Sequence, residues 1–516
     1  MNNSQTILRR LCLGLLPAIT LVGGGHSSAL AVELAAVFSD HVVLQRERPV
    51  PLWGSGTPGE RLTISFRDQR VQTDVDASGT WSARLSALTA GGPDTLVVAG
   101  SNTVQVSDVL VGEVWLAAGQ SNMAMTAGGV VKKGDDALAE MTAADHPQIR
   151  FQLEQHPTWR VASAANQPGM PATALAFAVT LSQRLSVPVG MLVRAMPGSA
   201  TDFWISEEAL LNDPTCRASI DTYAQTVYPE LQRAYEERRA RAATAGGKEP
   251  EPPTPPGKPA RGAERLGKHF TNLVMPLCPF AIRGFLWDQG ENMASIAGAE
   301  RSAVNAALVR GWRSAWGQGE LPFIYFQKPS GGGCAYDPND PLTQLAEPFA
   351  PLPAQVPKDK PGFYRDIYLR LLAVPGTALV PTSDLGGGLH PLRKSSYGRR
   401  AAQVALGVAY GQAGATCGPL YAGHAIEGAK VRIRFTHLGK GLVARHDPAV
   451  RGFFIAGSDQ VFHWADATID GDSVVVSHAQ VAAPVAVRYA WADQIPWANL
   501  FNADGLPAQA FRTDTW

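Results

Sequence analysis

From Val109 to about Tyr410 the chain repeats one pattern: a short unbroken apolar run, a polar turn, then a helical periodicity. Val114–Ala118, Val189–Val193, Gly284–Trp287, Leu321–Phe326 and Thr377–Val380 are such runs. An unbroken run, as opposed to strict alternation, marks a strand buried on both faces. Tyr364, Ile367, Tyr368 and Leu371 keep the i, i+3, i+4, i+7 spacing of a helix face, as do Ala401, Val404, Ala405 and Val408. Strands that alternate with helices fold into a parallel sheet covered by those helices. Ligands bind such sheets beyond the carboxyl ends of the strands, so the turns after the apolar runs are where function is sought.

On both sides of this region the pattern is different. Residues 34–107 hold short runs, several of them alternating, as in Leu62-Thr63-Ile64-Ser65-Phe66, with turn residues such as Pro58-Gly59 and Ser78-Gly79 between them. That predicts a small β-sandwich. After Gly411 β patterns return at Lys430–Thr436, Gly452–Ile455, Thr468–His478 and Val485–Trp491, with Asp470-Gly471 as a tight hairpin turn. Two stretches interrupt the central region: Ala240–Glu264, rich in proline, glycine and charge, and Gly331–Pro361, with three consecutive glycines and many prolines. Both read as surface excursions, the second either a plain surface insertion, the commoner case, or a loop over the site.

Met1–Ala31 has a basic start at Arg9-Arg10, an apolar stretch over Leu11–Val22 and a small-x-small end at Ala29-Leu30-Ala31. It reads as an export signal, too short to span a bilayer. The expected division is residues 1–31 signal, 32–108 N-terminal β-sandwich, 109–410 catalytic domain and 411–516 C-terminal β-rich domain. Lys+Arg and Asp+Glu both number 45, so the net charge is zero. A nucleic-acid partner, which needs a basic surplus, is not expected. No membrane span is expected either, and the protein is placed in the periplasm or outside the cell. Once Cys12 leaves with the signal, Cys216, Cys278, Cys334 and Cys417 remain. They are read either as one or two disulfides or as buried thiols. No CxxC or HExxH occurs, so no metal and no cofactor is expected.

Four turns carry the chemistry. Val114–Ala118 runs into Gly119-Gln120-Ser121-Asn122-Met123, which puts a serine at a strand's carboxyl end. Such a serine is either a helix N-cap or a nucleophile, and a nucleophilic hydroxyl needs a base. His390 follows Thr377–Val380 and the turn Asp384-Leu385-Gly386-Gly387-Gly388-Leu389, at the same edge. Asp288-Gln289-Gly290-Glu291-Asn292 and Ala195-Met196-Pro197-Gly198-Ser199 are two further polar turns after buried strands. Together they supply the parts for acyl transfer: nucleophile, base and oxyanion donors. Gly471-Asp472-Ser473 is a decoy beside a hairpin turn, and no G-x-S-x-G elbow occurs. Trp115 and Trp287 read as core, whereas Trp204 is a candidate for lining a sugar pocket as well as for the core.

The blocks GQSNM (Gly119–Met123), GFLWDQGEN (Gly284–Asn292) and LHPLRK (Leu389–Lys394) resemble those of the SGNH hydrolases. They are most similar to the sialate O-acetylesterase-like branch of carbohydrate esterases. Phe38–Glu60 and Asn499–Asp514 resemble that branch's terminal regions. The resemblance implies an α/β fold with an SGNH-type parallel sheet flanked by helices and β-rich accessory domains. It implies a serine esterase that removes O-acetyl groups from carbohydrates, sialic acid or plant cell-wall glycans, without a cofactor. Ser121 is then the nucleophile and His390 the base. The N–H groups of Ser121 and Gly198 form the oxyanion hole, with Asn292 or Gln289 as a side-chain donor.

One departure stands out. Where the family places an acid just before the histidine, this chain has Gly387 and Gly388. Asp384, taken as the third catalytic residue, must then fold back to His390. Otherwise another acid such as Glu291 substitutes, or a dyad works with a backbone carbonyl holding the ring. A carbohydrate-binding protein with a weakened or inactive core is the alternative function, and a lipase or thioesterase a further one.

Overall fold

The computed structural model describes residues 31–260, 262–291, 295–328, 332–333, 343, 348–358 and 362–516. The expected signal therefore lies outside the described residues except for Ala31, as do Asn292 and Cys334.

Among the described residues, seven strands form the main path of the central sheet: β1 (Thr103–Gly119), β2 (His146–Leu153), β3 (His156–Ala162), β4 (Val189–Ala195), β5 (Gly284–Asp288), β6 (Phe323–Phe326) and β7 (Thr377–Val380). Their order is β3-β2-β4-β1-β5-β6-β7. All neighbours are parallel except the β2–β3 hairpin at one edge. The sheet is thus mixed, because the turn Glu154-Gln155 joins β2 and β3 directly and allows no crossover. Every residue of β5 and β6 is buried, as unbroken apolar strands require. Full burial of a large apolar side chain contributes about 1.5–3 kcal/mol, so these short strands rest on packing more than on ladder length.

Helices α1 (Ser121–Ala124), α2 (Ala172–Leu185), α3 (Arg301–Trp316) and α4 (Lys394–Tyr410) follow strands of this sheet. Residues of α2 and α4 share a buried cluster with Trp115, Leu286 and Ile324 on one face. Trp312 and Trp316 of α3 pack with Phe285, Trp287 and Phe323 on the other. The helix predicted around Tyr364–Leu371 is formed by Phe363–Arg370 and a following 3-10 turn.

Strand β1 runs unbroken through residues 108 and 109, where the sequence suggests a domain boundary. Its first half pairs with Val43–Gln45 and Gly91–Ala99 of the N-terminal β region, and its second half with β4 and β5. Glu113 clamps the junction: it is fully buried and accepts from Arg46 Nε at 2.5 Å, Arg283 Nε at 2.7 Å and Gln45 Nε2 at 3.0 Å. The apolar faces of the N-terminal strands meet in one core that includes Leu52, Ile64, Trp81 and Val98.

Gly411 caps α4 with φ 65°, and two four-stranded sheets follow, packed around Val431, Ile433, Phe454 and Val487. Asp466–Asp470 and Ser473–Ser477 form the expected hairpin, and Ser473 is a strand residue whose hydroxyl donates to Asp470 O at 2.8 Å. Segment 348–358 lies against this region, with Trp464 Nε1 donating to Pro353 O at 2.8 Å. The first residues of the excursion expected from Ala240 belong to a helix, Tyr228–Thr244. Cys216, Cys278 and Cys417 are unpaired thiols, and burial pushes each up to about 12. Among the described residues no helix is long and apolar enough to cross a membrane.

Candidate active site

The carboxyl ends of β1, β4 and β5 are laced together by their own backbone. Gln120 N donates to Asp288 O at 3.0 Å, and Met196 N donates to Gly119 O at 2.9 Å. Gly119 sits at φ 136°, and a Cβ there would run into the Asp288 carbonyl. Only glycine lets the first and third turns approach this closely. The chain then enters α1, with Gln120 at its N-cap making no side-chain cap bond. Ser121 is therefore not a cap, and its hydroxyl is left for other work.

That hydroxyl meets His390. Ser121 Oγ lies 2.8 Å from His390 Nε2, although the two are 269 residues apart. Ser121 is half-buried and the imidazole is exposed, so a substrate can reach the pair. The spacing is that of a hydrogen bond between a hydroxyl and a ring nitrogen, the pairing by which a base can activate a nucleophile.

Asp384 does not take part. Its carboxylate is 1% exposed and is paired with the guanidinium of Arg400, which is 2% exposed and comes from α4. Arg400 Nη1 also donates to Pro381 O at 3.0 Å, fixing the pair beneath the glycine turn. The expectation that Asp384 folds back to His390 is corrected here. A buried arginine attracts the carboxylate more strongly than an exposed imidazole does. Among the described residues no hydrogen bond reaches His390 Nδ1, so neither Asp384 nor Glu291 orients the ring.

Glu291 serves instead in a buried ionic cluster under the nucleophile. It accepts from Gln120 Nε2, from Asn122 Nδ2 at 2.9 Å and from Lys328 Nζ at 2.6 Å. Lys328 also pairs with Asp288. Burial pushes the Glu291 carboxyl up, but the charge and hydrogen bonds of Lys328 outweigh it and hold the group below its ordinary range. Burial likewise pulls Lys328 down, and its two carboxylates more than offset the pull, so it stays charged. A second lysine, Lys394, donates to Asn122 Oδ1 at 2.7 Å. Burial lowers it to about 8, with Lys328 adding repulsion and Asp288 and Glu291 pulling the other way.

Gln289 is 1% exposed, and its Nε2 donates to Ser199 O at 2.8 Å. It ties the third turn to the Gly198 turn. Gly198 is exposed, with φ 75°. Gly290 has φ 142°, and a Cβ there would run into the Tyr368 hydroxyl, which donates to Gln289 O at 2.8 Å. Trp204 is fully buried, packed edge-on against Trp287 at 5.6 Å with Nε1 on Ser199 Oγ at 3.0 Å, so it is core and lines no sugar pocket. Trp115 and Trp287 are core as expected. Among the described residues no group of His, Cys, Asp and Glu is gathered as a metal site would need.

Known proteins add to this geometry. No protein-family profile matches the chain. The sialate O-acetylesterase of Rattus norvegicus is 24% identical over 335 residues, which make up 60% of this chain and 60% of that enzyme. The chain thus spans about three fifths of that relative's length. The Homo sapiens sialate O-acetylesterase is 24% identical over 530 residues, covering 93% and 91% of the two chains. A carbohydrate acetylesterase from Xanthomonas citri, of known structure, superposes with a TM-score of 0.71 at 31% identity, over 94% of this chain and all of that one. The chain belongs to the sialate O-acetylesterase-like carbohydrate esterases.

The sequence does not mark Lys328, Arg400, the contact Tyr368 makes at Gln289, or the role of Asn122 as parts of this site. Lys328 follows β6 directly, at the same sheet edge as Ser121, and that placement was a usable signal. Tyr368 and Arg400 lie on helices, and the spacing that puts Tyr368 on a helix face says nothing of a role at the site.

Proposed function

We propose that this chain is an exported SGNH-type serine esterase that removes O-acetyl groups from carbohydrates through an acetyl-enzyme. The contact between Ser121 Oγ and His390 Nε2 at 2.8 Å carries the reading. Ser121 Oγ attacks the acetyl carbonyl while His390 Nε2 takes its proton. The N–H groups of Ser121 and Gly198 are assigned to the developing oxyanion, with Gln289 or Asn292 as the side-chain donor. Gln289, which donates to Ser199 O, also braces the Gly198 turn. The tetrahedral adduct collapses as His390 returns the proton to the sugar oxygen, which leaves as the alcohol. Water, deprotonated by His390, then attacks the acetyl group and frees acetate and Ser121.

Membership of the family and the sialate O-acetylesterases among the relatives support acetylated sugars as substrates; sialic acid and plant cell-wall glycans are the two classes to compare. The test is acetate release from a panel of acetylated glycans, beside p-nitrophenyl acetate. Ser121→Ala should lower turnover by at least about 10³-fold, the scale on which nucleophile loss acts. Unchanged turnover removes Ser121 from the reaction. Full-strength glycan binding with no acetate release from any substrate favours the binding-protein reading instead.

A further inference from the structure

Among the described residues no carboxylate meets the His390 ring, and a different contact holds the loop that carries it. Asn122, the residue after the nucleophile, is 1% exposed and makes three side-chain hydrogen bonds. Its Nδ2 donates to Leu389 O at 3.1 Å and to Glu291 Oε1 at 2.9 Å, and its Oδ1 accepts from Lys394 Nζ at 2.7 Å. The amide's orientation is not arbitrary. A lysine ammonium can only donate, and a carboxylate and a carbonyl only accept. The oxygen must therefore face Lys394 and the NH2 must face the other two, and both N–H donors of the side chain are used.

Leu389 is the residue immediately before His390, and Lys394 begins the helix four residues after it. Between them Pro391 is buried, but His390 and Leu392 are exposed and three glycines precede the segment, so the imidazole has little packing of its own. We infer that Asn122 is the positioning residue for the catalytic base: its amide, aligned by Lys394 and Glu291, fixes the Leu389 carbonyl and so sets the distance between Ser121 and His390. This rests on the reading of Ser121 and His390 as nucleophile and base.

The arrangement joins the two loops through one side chain whose neighbour is the nucleophile itself. A shift of about 1 Å between reacting groups costs up to about 10²-fold in rate. Asn122→Asp keeps the volume and the acceptor for Lys394 but turns the donor facing Leu389 O and Glu291 Oε1 into an acceptor that both repel. Turnover of an acetate ester is measured per active site, the sites being titrated by stoichiometric uptake of a serine-reactive phosphonate. Asn122→Asp should lower kcat per titrated site by about 10- to 100-fold with KM changed by less than about three-fold. Lys394→Met, which leaves the amide in place but unaligned, should give a smaller fall of the same kind.

A purely structural role predicts otherwise: fewer titratable sites, each turning over at the wild-type rate. That outcome, or wild-type kcat per site in both variants, overturns the inference. If Asn122→Asp yields no folded protein, Lys394→Met decides by the same two readouts. A wild-type protein that takes up no phosphonate fails at the earlier step, the assignment of Ser121, and is told apart in that way.

Discussion

Asp384→Asn separates the two roles a carboxylate near His390 can have. In the structure Asp384 is buried against Arg400, and its second oxygen has no hydrogen bond among the described residues. Asparagine keeps the shape and one oxygen for Arg400 but removes the charge. Breaking a buried ion pair from one side costs about 3–5 kcal/mol, because the remaining charge is left uncompensated. Since an oxygen stays in contact, the lower end of that range applies. At about 2 °C per kcal/mol for a large domain, the melting midpoint should fall by roughly 6 °C. The kcat per titrated active site should change by less than about three-fold, since no bond joins Asp384 to the imidazole. An orienting carboxylate behaves in the opposite way: its replacement by the amide lowers kcat by about 10⁴-fold with the fold intact. Thermal melting and site-titrated turnover of the same preparation give both numbers. A large loss of kcat at an unchanged midpoint refutes the assignment of Asp384 to Arg400.

Two further outcomes follow from buried charge elsewhere. Lys394 has a folded-state value of about 8, below its ordinary 10.5. Between those pH values the unfolded chain holds the extra proton, so this group's contribution to stability rises with pH. Denaturant unfolding should show wild type gaining about 2 kcal/mol on Lys394→Met from pH 7 to pH 10, and a flat difference contradicts the burial argument. Glu113→Gln strips the charge that Arg46 and Arg283 share and should cost about 3 kcal/mol with turnover per site unchanged. Loss of less than about 0.5 kcal/mol in thermal or denaturant unfolding would show that the clamp holds nothing.

Much of this molecule was readable in advance, for definite reasons. Unbroken apolar runs such as Val114–Ala118 have no stable home except a strand covered on both faces, and polar turns after them fall at one edge of the sheet. That logic was enough to pair Ser121 with His390 across the whole catalytic region. It failed for Asp384 because proximity along a glycine turn was weighed without Arg400, which α4 swings beneath that turn. The β2–β3 hairpin and the continuity of β1 across residue 108 were hidden for a similar reason. A single apolar period does not say where a strand stops serving one sheet and starts serving another. The cluster of Glu291, Lys328, Asp288 and Lys394 was invisible because buried ions are recognisable only once their partners are known.

The convergence of two distant loops on one reactive hydroxyl can be measured outright. A fluorophosphonate is incubated with wild type and with His390→Ala, and the labelled peptide is identified by mass spectrometry. One adduct per chain on the peptide containing Ser121, formed at least about 10²-fold more slowly without the imidazole, is the expected result. Labelling at equal rates in both proteins, or on a different serine, contradicts it.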